Sequence, residues 1–117
     1  MTNTWGFMVP MLASIWIVPA PGEVTMEKYH DVKGTQSFKE YIGGVGTGFF
    51  WANAHQHIHN LPPLYCQPGK LPLYADSYLQ ILGDYISNRP GEPNSLANSV
   101  PVELLLLNAL RETFPCK

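Results

Sequence analysis

Two stretches in the second half of the chain place apolar residues at helical spacing. The first covers residues 74–88, where apolar side chains fall on one side of a helix at about 100° per residue and polar ones on the other. Pro72 precedes this stretch, where a missing N–H costs little, and Pro90 follows it, where a helix ends readily. The pattern predicts an amphipathic helix over residues 74–88.

The second stretch covers residues 99–114 and is more apolar than the first. Asn98 or Ser99 can cap a helix here, and Pro101 can occupy its first turn. Two neighbouring apolar stripes run along it: Val102, Leu105, Leu106 and Ala109, then Leu107, Leu110 and Phe114. Leu104 lies outside both stripes. The pattern predicts a second amphipathic helix whose apolar arc is wider than one core face requires.

The only two cysteines, Cys66 and Cys116, flank this pair of helices. Two helices joined by a short loop usually pack antiparallel, so the chain before the first helix should meet the chain after the second. We therefore expect a Cys66–Cys116 disulfide that closes a helical hairpin. By the chain-entropy estimate such a bridge contributes roughly 4 kcal/mol. The alternative is a pair of free, buried thiols.

A third helix is expected from residue 36 to about residue 57, with a run of glycines in its middle. Glycine lowers helix stability by up to about 1 kcal/mol, so this helix needs support from packing. Gly44 and Gly48 lie four residues apart beside the apolar stripe, and we expect another backbone to approach them closely. A phosphate-binding G-x-G-x-x-G loop is excluded because Phe49 occupies its last position and no strand precedes the run.

Three histidines lie close together near the end of that helix. His55 and His59 would share one helix face, which is a spacing that metal sites use. No carboxylate lies beside them in sequence to complete a ligand set. The alternative is that the histidines are placed at a helix carboxyl end, where partial negative charge favours them.

Residues 1–22 contain no charged residue and include an apolar run that is too short to span a bilayer. They are typical of a signal peptide cleaved before Glu23, although no Lys or Arg precedes the apolar run. The alternative is an ordinary apolar segment docked on the domain. Cleavage would leave residues 23–117 as a single helical domain outside the cytoplasm, beginning with a short helix or ordered arm over residues 23–34.

The composition narrows the class of protein. A chain of 117 residues forms one domain, and a net charge of −2 without a basic patch does not favour nucleic-acid binding. There is no G-x-S-x-G nucleophile motif, and the carboxylates are scattered rather than paired. We therefore expect an all-α bundle of about four helices that is not an enzyme, with no catalytic residues and no cofactor.

These motifs together resemble the Rap/Tai immunity-protein family of type VI secretion systems. The resemblance covers about residues 36 to 117. It is carried by the glycine helix, by the region of Cys66, and by the ending of the chain. The residues concerned are Tyr41-Ile42-x-Gly44-Val45-x-x-Gly48, Tyr65-Cys66-x-Pro68, Ser87-Asn88-Arg89-Pro90-x-Glu92, Val100-Pro101-x-Glu103-Leu104-Leu105 and Asn108-Ala109-Leu110-Arg111-Glu112-x-Phe114-Pro115-Cys116. The last of these is the most specific.

The resemblance implies a small helical periplasmic protein, often dimeric, that binds and blocks a peptidoglycan amidase effector. Family members contact the effector through the connection between the last two helices, which here is residues 88–98. Arg89, Glu92 and Asn94 are the groups there that can hydrogen-bond in a cleft. The alternatives are a plain surface connection and, for the whole chain, a helical envelope protein with a structural or interaction role.

We also expect a homodimer, which would use the surplus apolar arc of the last helix. Leu104 is the residue best placed for such a contact, because it lies outside both stripes of that helix. No membrane span is expected.

Overall fold

The computed structural model describes residues 23–89 and 99–117, which contain four helices and no β-strand. The helices are α1 (Met26–Val32), α2 (Gln36–Ile58), α3 (Ala75–Ser87) and α4 (Val102–Thr113). The predicted all-α fold is therefore confirmed, and the three long helices lie where their apolar periodicity places them. The predicted signal peptide, Glu92 and Asn94 lie outside the described residues.

The core forms where the apolar stripes of α3 and α4 meet the first half of α2. Helix α3 contributes every fourth residue, which is the spacing that its pattern predicts. The core residues taken from these three helices are Phe38, Ile42, Tyr78, Leu82, Ile86, Val102, Leu105, Leu106 and Leu110. The wide apolar arc of α4 is thus mostly used inside the chain, because α4 is enclosed by its neighbours on more than one side.

The short helix α1 is fixed to the start of α4 by backbone hydrogen bonds. The amide of Met26 donates to the carbonyl of Val100 at 2.8 Å, and the amide of Val102 donates to the carbonyl of Val24 at 2.8 Å. Glu103 adds to this junction by accepting hydrogen bonds from the Tyr41 hydroxyl and the amide of Val24. The first turn of α4 therefore joins α1 and α2 to the rest of the bundle.

Helix α2 begins at a capped end and is packed closely through two of its glycines. The Thr35 hydroxyl accepts a hydrogen bond from the amide of Phe38 at 3.2 Å, which satisfies one free N–H of the first turn. A Cβ added at Gly43 would lie 2.8 Å from the Cβ of Ala75, and one added at Gly46 would lie 2.5 Å from the ring of Tyr78. These two glycines are what allows α3 to lie against α2.

The expectation that Gly44 and Gly48 support this close packing is wrong within the described chain. A Cβ at either position would meet nothing within 4 Å. The reason is rotation about the helix axis, because Gly43 and Gly46 face α3 whereas Gly44 and Gly48 face outward. The glycine run therefore has a packed side and an open side.

The predicted disulfide between Cys66 and Cys116 is present, with the Cα atoms 5.0 Å apart. The amide of Cys66 also donates to the carbonyl of Phe114 at 2.8 Å, so the backbones are joined beside the bridge. This pairing fixes the end of the chain to the segment that precedes α3.

The two bridged helices do not lie as an aligned antiparallel pair, which corrects the expected geometry of the hairpin. Arg89, just after α3, forms an ion pair with Glu112 in the last turn of α4. Aligned antiparallel helices of this length would separate those ends by about 18 Å. The bridge does not impose an antiparallel direction, because the whole segment 67–74 lies between Cys66 and α3.

None of the helices in the described ranges is both long enough and apolar enough to span a membrane.

Candidate protein-binding site

The connection between α3 and α4 begins at Arg89, whose side chain is held against the bundle. Its guanidinium pairs with the Glu112 carboxylate and lies 4.0 Å from the ring centroid of Tyr85. The side chain of Arg89 is only 19% exposed. Arg89 therefore anchors the start of the predicted contact loop to α3 and α4, which is a role that the sequence did not indicate.

A hollow of about 540 Å³ lies beside this anchor, at the carboxyl end of α4. Its lining is mixed, with a carboxylate, a guanidinium and an amide set among apolar side chains. The lining residues are Pro63, Leu64, Tyr85, Asn108, Arg111, Glu112, Pro115 and Cys116. Tyr85 and Glu112 thus contact Arg89 on one side and border the hollow on the other. The bridge and the loop anchor therefore belong to one continuous region of the surface.

A second concave region, of about 510 Å³, lies between the later half of α2 and the segment that leads to α3. Phe50 and Trp51 form its helical wall, and Leu71 lies on the opposite side. Within this segment, the side-chain amide of Gln67 donates a hydrogen bond to the carbonyl of Leu71 at 2.6 Å. The side-chain carbonyl oxygen of Gln67 is buried and has no hydrogen-bond partner among the described residues. The sequence alone did not indicate this groove, although two adjacent large aromatic residues, Phe50 and Trp51, were a signal for it.

Exposed apolar side chains are concentrated in the part of the chain that contains the groove, and three of them, Phe50, Trp51 and Leu71, line it. Seven of the eight large apolar side chains exposed in the described residues fall between residues 50 and 74, and the eighth is Leu104. Leu104 is exposed as its position outside both stripes predicts. It is isolated, however, because the rest of the apolar arc of α4 is largely covered within the chain. The surplus arc from which the sequence predicts a dimer contact is therefore absent from the described surface of α4.

Three tyrosines in the core have perturbed titration. Burial raises the pKa of Tyr65 to about 12, with a smaller contribution from neighbouring Tyr78. Burial also raises the pKa of Tyr29 and of Tyr78 above the ordinary value of 10.0. The Tyr65 hydroxyl has no hydrogen-bond partner among the described residues. All three rings pack in the core, so these shifts follow from burial rather than from an arrangement for proton transfer.

The histidine pair on α2 is close in space, as its spacing predicts. The rings of His55 and His59 have their centroids 4.2 Å apart, on an exposed part of the helix. Among the described residues, no cluster of three or more His, Cys, Asp or Glu side chains is arranged to hold a metal ion. The two histidines thus lie together without a third ligand from that part of the chain.

These features define a small, disulfide-bridged helical protein that exposes concave apolar surface. Comparisons with known proteins give no match: the chain fits no family model, and no curated protein and no solved structure is similar to it.

Proposed function

We propose that this protein is a periplasmic immunity protein that binds and occludes a peptidoglycan amidase effector delivered by type VI secretion. The observation that carries the proposal is the Cys66–Cys116 disulfide. It joins the cysteines of two motifs of the family resemblance, and the motif that ends in Cys116 is the most specific of all. Disulfides persist in oxidising compartments such as the bacterial periplasm, so the bridge also supports export of the chain.

The occluding element in this proposal is the connection that follows α3. Its first residue, Arg89, is fixed by Glu112 and by the ring of Tyr85. A fixed starting point reduces the conformational freedom that the loop loses on binding, which favours affinity. Glu92 and Asn94 supply hydrogen-bonding groups farther along the connection, and Pro93 restricts its backbone.

Inhibition by this route needs no chemistry from the inhibitor. An occluding loop acts by filling the cleft of the hydrolase and by excluding substrate, so its affinity depends on shape and on satisfied hydrogen bonds. The proposal therefore assigns no catalytic residue and no cofactor to this chain. The exposed groove at Phe50 and Trp51 has no part in it.

The test is an inhibition assay with a purified peptidoglycan amidase of the type VI effector class, taken first from any such gene beside the one for this chain. We expect the full chain to inhibit peptidoglycan cleavage at about one inhibitor per enzyme. Deletion of residues 91–94 should abolish inhibition while circular dichroism shows an intact helical fold. Leu104→Ser is the matched control, because Leu104 is exposed and lies outside the connection.

Two results would count against the proposal in different ways. A folded deletion variant that inhibits as well as the full chain would show that residues 91–94 are only a connection. A full chain that neither binds nor inhibits the hydrolase would refute the immunity function and favour a structural or interaction role in the envelope.

A further inference from the structure

Two histidines lie side by side on the surface where α2 ends. The rings of His55 and His59 have their centroids 4.2 Å apart, and both residues are exposed. Neither imidazole has a hydrogen bond or an ion pair among the described residues, so its nitrogens are available to a ligand. Imidazole in its neutral form is the commonest protein ligand of metal ions. The pair is therefore a candidate chelating site.

We propose that His55 and His59 chelate one divalent transition-metal ion, with copper(II) bound more tightly than nickel(II) or zinc(II). Imidazole nitrogens suit these three ions, and affinity within the group is highest for copper. Water fills the remaining coordination positions. The bound ion is thus exchangeable, unlike an ion in a closed structural site with four protein ligands. This inference goes beyond the proposed function and does not depend on it.

The separation of the two rings fits two ligands of one ion. With each nitrogen about 2.0 Å from the ion, ligands at about 90° to each other place the ring centroids about 4.5 Å apart. A tetrahedral angle places them about 5 Å apart. The observed 4.2 Å is nearer the first arrangement, which is that of square-planar or tetragonal copper(II) and nickel(II). A small rotation of the two side chains completes the fit.

The last turn of α2 is held by backbone hydrogen bonds, so the ion does not have to order it. The amide of His59 donates to the carbonyl of His55 at 3.1 Å. Asn60 then has a positive φ of 59°, and the amide of Leu61 donates to the carbonyl of Gln56 at 2.8 Å. This is the pattern of a capped helix carboxyl end. A capped turn loses less conformational freedom on binding, which favours affinity.

The surroundings of the histidine pair favour ions that bind nitrogen. Lys70 is the only Asp, Glu, Lys or Arg between residues 41 and 75. Magnesium and calcium need carboxylate or carbonyl oxygens, and no described carboxylate joins the pair in a cluster of three ligands. Free carbonyls at a helix carboxyl end carry partial negative charge, which favours a cation there. We therefore expect the pair to bind copper(II) and not magnesium.

The first test is a calorimetric titration of the full chain, without a histidine tag, with copper(II). At about pH 7.5 most imidazole is in its neutral, metal-binding form. We expect one tightly bound ion per chain. His55→Ala and His59→Ala should each weaken binding by about tenfold or more, because the second imidazole binds the ion as an intramolecular step. Magnesium in place of copper should give no binding.

His57→Ala is the matched control. His57 lies two residues from each member of the pair and borders a separate hollow on another side of α2. This variant should bind copper(II) as the natural chain does. A natural chain without a tight site, an equal loss with His57→Ala, or undiminished binding by either His55→Ala or His59→Ala would each overturn the assignment.

Thermal unfolding distinguishes chelation by the folded turn from binding to scattered histidines. An ion that binds the folded chain and not the unfolded chain raises the temperature of unfolding. Copper(II) should raise this temperature for the natural chain and for His57→Ala. It should not raise it for the double variant His55→Ala with His59→Ala. An equal rise in the double variant would place the ion elsewhere and contradict the proposal.

Discussion

Helices α4 and α2 use their apolar residues in opposite ways. Helix α4 has 12 residues, five of which are buried in the core, so most of its apolar arc is covered within the chain. Helix α2 has 23 residues and only three are buried, while its later half exposes Phe50, Trp51 and Ile58. A strongly amphipathic helix can therefore have most of its apolar residues covered by folding, whereas a less amphipathic one can leave apolar surface for a partner.

The difference arises from what each helix packs against. Helix α4 contacts α3, α2 and the chain around α1, so its two apolar stripes are both enclosed. Helix α2 packs mainly through its first half, where Gly43 and Gly46 admit α3. Beyond that crossing, the contact with segment 61–73 covers only one side of α2. The number of neighbours, rather than the apolar content, decides which helix remains available for binding.

The largest expected effect concerns the bridged region that holds α4. Replacing both cysteines, Cys66→Ser with Cys116→Ser, should lower the free energy of unfolding by roughly 4 kcal/mol, because the unfolded chain regains the freedom of a large loop. Urea denaturation of the double variant measures this loss. The natural protein with its bridge reduced is the control and should lose a similar amount. A loss below about 1 kcal/mol would contradict this expectation and show that the bridge contributes little to stability.

The next prediction contrasts the two sides of α2. Gly46→Ala should destabilise the protein by about 1–3 kcal/mol, because its Cβ would lie 2.5 Å from the Tyr78 ring. Gly48→Ala should instead stabilise it by up to about 1 kcal/mol, since the site is open and alanine favours helix. Both are measured by urea denaturation at a concentration where the chain is monomeric. Equal effects of the two substitutions would contradict the division of α2 into a packed side and an open side.

Alkaline pH should destabilise the protein through its buried tyrosines, of which Tyr65 is the most affected. The raised pKa of about 12 at Tyr65 means that folding favours its neutral form. This contribution is complete below the unfolded value near 10 and is lost as pH rises towards about 12, by up to ~1.4 kcal/mol per pH unit. Tyr65→Phe should remove that part of the loss, and exposed Tyr74→Phe should not. Identical alkaline profiles for the two variants would contradict this assignment.

The smallest effect is expected at the loop anchor. Arg89→Ala removes an ion pair with Glu112, whose side chain is 57% exposed, and a contact with the Tyr85 ring. Partly exposed pairs of this kind contribute about 1 kcal/mol or less. Thermal unfolding should therefore shift by only a few degrees. A large loss would make Arg89 an essential part of the fold rather than an anchor for the loop.

Much of this fold could be predicted because it depends on local periodicity. The repeat of Tyr78, Leu82 and Ile86 defines the buried side of α3 without reference to any other element. The pairing of Cys66 with Cys116 followed from there being only two cysteines. Fold class, helix positions and the bridge were therefore accessible from the sequence.

The rest depends on how the helices are rotated and directed relative to one another. Gly43 and Gly44 are neighbours in sequence, and only the position of α3 decides which of them must be glycine. The expectation that α3 and α4 pack antiparallel is wrong because segment 67–74, which lies between Cys66 and α3, does not fix their relative direction. The pattern places Phe50 and Trp51 in a helix, but it does not indicate the groove beside them, because the groove forms only when segment 67–73 lies opposite.

The central claim is that this chain protects a cell by binding a secreted amidase, and survival of cells measures it most directly. The amidase used in the inhibition assay would be directed to the periplasm of a susceptible strain, with or without the full chain. The account predicts lysis with the hydrolase alone and full survival when the natural chain is present. Survival should fall when residues 91–94 are deleted and should persist with Leu104→Ser. Lysis that the natural chain does not reduce, although the chain is exported and folded, would contradict the proposed function.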